Sequence, residues 1–216
     1  MEWHGTLEMC HPRCVHDHPL FFIAKQDPIT LQHLAVLRNN LNLSNNFDAA
    51  MYATMAISFW CQCHLTETCV ESSFNMEIHS SWSSPQKWGR TASIVLYHSF
   101  LAPSTKTRPQ GEYMMWTDSS CLCSTEWPFS NHLEINCGVP PSSHLFGFES
   151  DLGIFLPICK AIFMLRCNEI WSSIHLNSHG SHSFHIGGTT HLLIGVDPFI
   201  IMVQGIWKLI AFLDYW

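Results

Sequence analysis

The sequence predicts a mainly α-helical domain that carries one small antiparallel β-hairpin. Leucines recur at helical spacing near residue 30, and apolar residues recur at similar spacing after residue 48 and after residue 157. One short β-branched and aromatic stretch, at residues 94–97, is followed by a turn-rich segment and a second short apolar run. The element order is therefore helices, a small sheet and helices again, within a chain of 216 residues that is about the size of one domain.

Two helices are expected in the first third of the chain. Residues 1–27 show no clear period. The first helix has Thr30 as its N-cap, and a longer helix starts near Asp48. Their apolar positions are Leu31, Leu34, Leu37 and Leu41 in the first helix, and Ala50, Met51, Met55, Phe59 and Cys63 in the second.

The middle of the chain is expected to form the hairpin. The stretch 91–101 predicts a strand around Ile94 to Tyr97, and Tyr113 to Trp116 predicts the returning strand. Residues 103–111 between them are rich in turn formers.

Four helices are expected in the remaining sequence. One spans 129–135 and ends at the breaker 138–141, and one spans 157–174. Asp197 and Pro198 predict an N-cap and first helical residue for a helix that Gly205 closes, and a last helix begins near Lys208. The helix over 157–174 rests on a row of four-residue steps: Ile158, Ile162, Arg166, Ile170 and Ile174.

Composition excludes several classes of protein. Ten Lys and Arg against 17 Asp and Glu give a net charge of −7, and 12% of the residues are charged, about half the usual share of 25%. Low charge and 12% aromatic residues argue against disorder. The low number of Lys and Arg residues argues against a self-sufficient basic DNA clamp, because counterion-release binding needs clustered cations.

The expected location is intracellular. The N-terminus lacks the basic and apolar regions of a signal peptide, so the ten cysteines are expected as free thiols or metal ligands. No apolar run reaches the roughly 18 residues of a spanning helix, and the nearest, from Leu152 to Leu165, contains Pro157 and Lys160.

The most informative segment lies near the C-terminus. His182-Ser183-Phe184-His185-Ile186-Gly187-Gly188 is followed by Gly195-Val196-Asp197-Pro198, by Gly205-Ile206-Trp207 and by Ala211-Phe212-Leu213-Asp214-Tyr215. This order and spacing resemble the catalytic domain of tyrosine recombinases, the phage-integrase-like enzymes that break and rejoin DNA, in the versions carried by fungal mobile elements. In those versions the pattern runs Gly-His-x-Phe-Arg-Ile-Gly-Gly, Gly-Val-x-Pro, Gly-Arg-Trp and Ala-Phe-Leu-x-Tyr.

Weaker similarity extends upstream to about residue 28. His64-Leu65-Thr66-Glu67 resembles the family's Arg-Leu-Gly-Glu, and Ser104-Thr105-Lys106-Thr107 resembles the Thr-Lys-Thr hairpin. The expected organisation is therefore an unmatched segment at 1–27 and a catalytic domain at 28–216, without most of the family's core-binding domain and its C-terminal extension. The resemblance implies double-stranded DNA as partner, held weakly here, a homo-oligomer on that DNA, a nuclear location and no cofactor.

The resemblance also implies a site. Tyr215 occupies the position of the nucleophile that forms a 3′-phosphotyrosyl link, Lys106 that of the lysine that protonates the leaving oxygen, His182 that of the motif histidine, and Trp207 that of a residue completing the phosphate grip. The two arginine positions hold His64 and His185, and Ile206 replaces a third arginine.

These replacements predict inactivity or near inactivity. An imidazole cannot form the bidentate fork that arginine offers to phosphate oxygens. Losing one preorganised donor typically costs about 2.7–4 kcal/mol, so two losses would slow the reaction on the order of 10⁴- to 10⁶-fold if additive.

Two alternative interpretations remain open. In the first, the chain is a non-catalytic DNA- or protein-binding remnant of a mobile element; in the second, it is a metal-binding protein. The second interpretation depends on Cys10, His11, Cys14, His16 and His18, whose spacing does not match the usual zinc patterns.

Overall fold

A computed structural model of the chain describes residues 26–90, 94–105, 108–117, 125–197 and 200. The helices are α1 (Leu31–Asn40), α2 (Asn46–Trp60), α3 (Leu65–Thr68), α4 (Glu126–Ile135), α5 (Lys160–Ser173) and α6 (Ser183–Leu192). The strands are β1 (Gln86–Arg90), β2 (Leu96–Ala102), β3 (Glu112–Thr117), β4 (Phe148–Glu149) and β5 (Phe155–Leu156). The predicted mainly α fold with a small antiparallel sheet is confirmed.

Helix α2 is the centre of the core. The Asn45 side chain caps it by accepting the Asp48 backbone N–H at 3.1 Å. Every residue from Asp48 to Phe59 is buried, as expected of a helix enclosed on all sides. The prediction that the helix continues to Cys63 is wrong, because the chain leaves the helix after Trp60 and Gln62 adopts a left-handed φ of +53°.

Helices α1 and α5 pack side by side. Thr30 precedes α1, as predicted, and the Trp171 indole of α5 donates a hydrogen bond to the His33 carbonyl at 3.1 Å. The isoleucine row that predicted this helix is only partly buried, since Ile170 is buried whereas Ile162 is 53% exposed. A row of four-residue steps winds about 40° per step around a helix; the buried side chains of α5 are Phe163, Cys167, Ile170 and Trp171.

The main sheet has the order β1-β2-β3 and is antiparallel throughout. The returning strand predicted at Tyr113 to Trp116 is confirmed within β3, whereas the strand predicted from residue 91 starts only at Leu96. Strand β1 has no counterpart in the prediction. Trp88, His98 and Trp116 are aligned across the three strands on the face that packs toward α4.

The helix predicted at 129–135 is confirmed as the greater part of α4, and the one at 157–174 contains α5. The helices predicted from Asp197 and from Lys208 lie almost wholly outside the described residues. None of the described helices combines the length and the hydropathy that crossing a bilayer requires.

Candidate functional site

The site forms where α6 meets the end of α2, and two glycines make that approach possible. A Cβ atom on Gly187 would lie 2.2 Å from the Ile29 carbonyl oxygen. A Cβ atom on Gly188 would lie 1.9 Å from the Phe59 carbonyl oxygen. Only glycine therefore lets the α6 backbone come this close to both segments, and the approach brings the first turn of α6 beside the α2–α3 connection.

Three histidines stack at this junction. His64 precedes α3, His182 precedes α6, and His185 lies in the first turn of α6. The ring centroids of His64 and His185 are 4.1 Å apart, with 21° between the ring planes. His182 lies 5.2 Å from each of the other two rings. The fold thus brings together three site residues that come from two segments far apart in the sequence.

His185 is the most enclosed of the three, with 1% of its surface exposed. Its Nδ1 donates a hydrogen bond to the Gln62 carbonyl oxygen, because a carbonyl can only accept. Burial, with smaller contributions from the neighbouring His64 and His182, lowers the pKa of His185 to about 3 against the opposing effect of the Gln62 bond. His185 is therefore uncharged at neutral pH.

Glu67 supports the same junction from α3. Its Oε2 accepts the His64 backbone N–H at 2.9 Å. The side chain is buried, and burial raises the pKa of Glu67 to about 7 although the His64 bond lowers it. Gln62 adds a second link, since its side-chain oxygen accepts the Thr189 hydroxyl at 2.9 Å and joins the α2–α3 connection to α6.

The chemical capacity of this junction follows from these geometries. Stacked imidazoles keep their ring nitrogens in near-parallel planes, so their lone pairs do not converge on one ion. Within the described ranges, no group of three or more His, Cys, Asp or Glu side chains is arranged to hold a metal. The histidines can offer single hydrogen bonds and proton transfer to a bound group, but not the fixed bidentate positive charge of an arginine.

The remaining sequence-predicted residues lie outside the described residues. These are Lys106, Trp207 and Tyr215, together with Ile206 and the N-terminal residues Cys10, His11, Cys14, His16 and His18. Their placement in the site therefore stays a prediction.

Two supporting residues were not predicted. Glu67 follows His64 by three residues, the spacing of a capping box, and this signal could have identified it as the acceptor for the His64 N–H. Gln62 carries no such signal, because its role depends on a left-handed turn and on a helix more than a hundred residues away.

Comparison with family models finds no match, and comparison with curated proteins finds none either. Solved structures do match. The Tn1549 transposon integrase in complex with a circular-intermediate DNA has a TM-score of 0.54 and 13% identity, covering 90% of this chain and 62% of that one. The FLP recombinase–Holliday junction complex has a TM-score of 0.54 and 10% identity, covering 82% of this chain and 43% of that one.

A complex of Flpe with a Holliday junction gives similar values, with a TM-score of 0.53 and 11% identity. The chain spans less than two thirds of each of these structures, at 62% and 43% of their lengths. At such identities the likeness concerns architecture, which agrees in its helix-rich layout and small antiparallel sheets. The chain has the fold of a tyrosine-recombinase catalytic domain.

Proposed function

We propose that this chain binds double-stranded DNA and descends from enzymes that cleave and rejoin it through a 3′-phosphotyrosine. The observation that carries the proposal is the meeting of His64, His182 and His185. The resemblance to the tyrosine-recombinase motifs implies that these residues share one catalytic centre, and their rings lie 4.1–5.2 Å apart. The fold shared with DNA-bound integrase and recombinase structures supports the same assignment.

In the inherited reaction, the Tyr215 hydroxyl oxygen attacks the scissile phosphorus. The new bond joins phosphorus to the tyrosine oxygen, and the bond from phosphorus to the 5′-oxygen breaks. The Tyr215 hydroxyl passes its proton to His182, the leaving oxygen takes a proton from Lys106, and Trp207 completes the grip on the phosphate. The bond energy stays in the phosphotyrosyl link, so the 5′-hydroxyl of another strand can reverse the step.

We further propose that this copy is a pseudoenzyme or nearly so. The transition state gathers negative charge on the non-bridging oxygens, and positive donors in fixed positions are the main source of its stabilisation. His185 stands at an arginine position, is buried, and has a pKa of about 3. It therefore brings no positive charge to the phosphate at neutral pH.

A nicked suicide substrate tests both statements. We expect the unmodified chain to form little or no covalent adduct, and the His64→Arg/His185→Arg double variant to form more. Arginine at the buried position of His185 can disturb folding, so the single variant His64→Arg, at a half-buried position, is tested beside the double variant. Circular dichroism verifies that both variants fold. Tyr215→Phe in the double-variant background removes the hydroxyl and should abolish the adduct.

The outcomes separate the two statements. Efficient adduct formation by the unmodified chain would show that the histidines are catalytically sufficient, and the pseudoenzyme proposal would fail. Absence of duplex binding by the unmodified chain and by both folded arginine variants would overturn the DNA-binding proposal itself.

A non-catalytic DNA-binding remnant of a fungal mobile element is the second candidate, and the uncharged His185 favours it. Under either candidate function, we propose that the protein is nuclear and that several copies assemble on DNA. The double variant distinguishes them, because arginines restore cleavage only where Tyr215 and Lys106 still reach the phosphate.

A further inference from the structure

A cavity of about 330 Å³ opens between the β1–β2 end of the main sheet and the start of α4. Its described lining includes Trp88, Arg90, Leu96, His98 and Glu126. The volume lies within the range of small-ligand pockets, roughly 300–1,000 Å³. Strand β2 runs from this end, at Leu96, to Ala102.

The cavity has an aromatic wall. Trp88 is 62% exposed although its cross-strand neighbour His98 is 4% exposed. The two ring centroids are 4.0 Å apart, and Trp116 lies 5.0 Å beyond His98. An exposed indole beside an open cavity offers a flat ligand a surface on which to stack.

The cavity also borders an unpartnered ring nitrogen. His98 Nδ1 lies 2.7 Å from Glu126 Oε2, and the carboxylate oxygen accepts this hydrogen bond. His98 Nε2 is buried and has no hydrogen-bond partner, which is costly unless a ligand supplies one.

Arg90 is the third ligand-binding feature of the cavity. It is exposed, lies opposite Leu96 in the sheet register and lines the same cavity. No carboxylate of the described residues is within ion-pair distance of it, whereas Arg108, Lys160 and Arg166 each pair with a glutamate. Its guanidinium is thus available to an anionic group of a ligand.

We propose that this cavity binds a nucleotide, with the base stacked on Trp88, a polar atom on the edge of the base paired with His98 Nε2, and the phosphate held by Arg90. The chemistry is that of a purine or pyrimidine nucleotide, either free or unpaired within a DNA strand. The proposal does not depend on strand cleavage or on the proposed function.

Calorimetric titration of the full chain with deoxyadenosine monophosphate, deoxyadenosine and deoxyribose 5-phosphate tests the site. Trp88→Leu should weaken binding of the monophosphate by about 5- to 150-fold, the usual cost of losing one base–aromatic stack. Arg90→Gln should weaken the monophosphate but not the nucleoside. Matched controls are Trp127→Leu, at an indole that is 47% exposed and outside the cavity, and Arg166→Gln on α5; both should leave the affinities unchanged.

Two hairpin duplexes, one with a single unpaired adenine and one with an abasic site, identify the source of the nucleotide. Preference for the unpaired adenine that Trp88→Leu removes assigns the site to a DNA strand. Equal binding of both duplexes together with saturable binding of the monophosphate assigns it to a free nucleotide. The proposal is overturned if neither probe binds saturably, or if Trp88→Leu and Trp127→Leu weaken binding equally.

Discussion

His185 and Glu67 occupy the same junction, and burial moves both away from their charged forms. Burial is the main cause of the lowered pKa of His185, about 3, and of the raised pKa of Glu67, about 7. Both effects have one origin, since a charged group loses hydration that a low-dielectric interior does not replace. The interior around His185 and Glu67 therefore favours their neutral forms.

Replacing Glu67 with glutamine should flatten the pH dependence of stability. The folded-state pKa of about 7 lies above the ordinary value of 4.5. The stabilisation is thus fully present below pH 4.5 and is lost as the pH rises through 7. Between those values the wild type should lose on the order of 3 kcal/mol of unfolding free energy that Glu67→Gln retains. Urea unfolding across this range measures the difference.

Glu134→Gln, at an exposed glutamate, is the control and should show the same dependence of unfolding free energy on pH as the wild type. If the Glu67→Gln curve runs parallel to that of the wild type, the Glu67 carboxyl is not the group that titrates there.

Buried histidines should make the fold sensitive to acid. Burial lowers the pKa of His144 to about 3, helped by His79 and His132, and lowers that of His132 to about 4. Both values lie below the ordinary 6.5, so the stabilisation is complete above pH 6.5 and is lost as the pH falls through the folded pKa. His144→Leu removes one titration, worth about 2–3 kcal/mol at pH 4.5. Acid unfolding monitored by circular dichroism should shift to lower pH.

The exposed His175→Asn is the control and should leave the acid midpoint unchanged, because asparagine tolerates the left-handed φ of +64° at this position. An acid midpoint that rises in His144→Leu would show that the lost ring contacts with Phe74 and Phe146 outweigh the titration.

At the scale of elements, α6 is held by packing rather than by helix propensity. Two adjacent glycines in its middle are poor helix formers. They are retained where the helix meets the Phe59 and Ile29 carbonyls. The junction of the three histidines exists because this helix approaches α2 so closely.

Gly188→Ala should therefore destabilise the fold, by about 1–3 kcal/mol or more. Alanine would ordinarily favour a helix over glycine by about 1 kcal/mol, so a loss identifies the clash with the Phe59 carbonyl. Thermal unfolding measures it. Gly195→Ala is the matched control, because nothing lies within 4 Å of a Cβ atom there. Equal effects of the two substitutions would contradict the close approach.

At the scale of the whole molecule, the net charge bears on the proposed DNA binding. The net charge is −7, and arginines at positions 64, 185 and 206 would make it −4. Three of the six described cations already pair with glutamates, namely Arg108, Lys160 and Arg166. We expect weak duplex binding that depends on few phosphate contacts.

The salt dependence of that binding is measurable. Each phosphate contact adds about −0.9 to the slope of log affinity against log salt concentration. The His64→Arg/His185→Arg variant should therefore steepen the slope by up to about 1.8. A control with the same added charge, Ser172→Arg/His175→Arg at the exposed end of α5, should leave it unchanged. Equal steepening in both would assign the effect to net charge and not to the site.

Local patterns in the sequence were sufficient for most of the architecture. Thr30 precedes α1, the returning strand β3 lies where its apolar run predicts, and α4 ends before the predicted breaker. Strand β1 was missed because Gln86 to Arg90 has polar ends and an interior glycine. The isoleucine row predicted the helix α5, whereas packing against α1 sets which of its side chains face inward.

The sequence by itself determined the fold class, since apolar spacing and turn residues are local properties, and the resemblance of its motifs to a known family implied a common site for His64, His182 and His185. Only the tertiary structure decided that His185 is uncharged and that Glu67 and Gln62 support the junction. It also decided that a cavity opens beside Trp88. A pKa and a cavity depend on atoms brought together from distant segments, so neither can be read from neighbours along the chain.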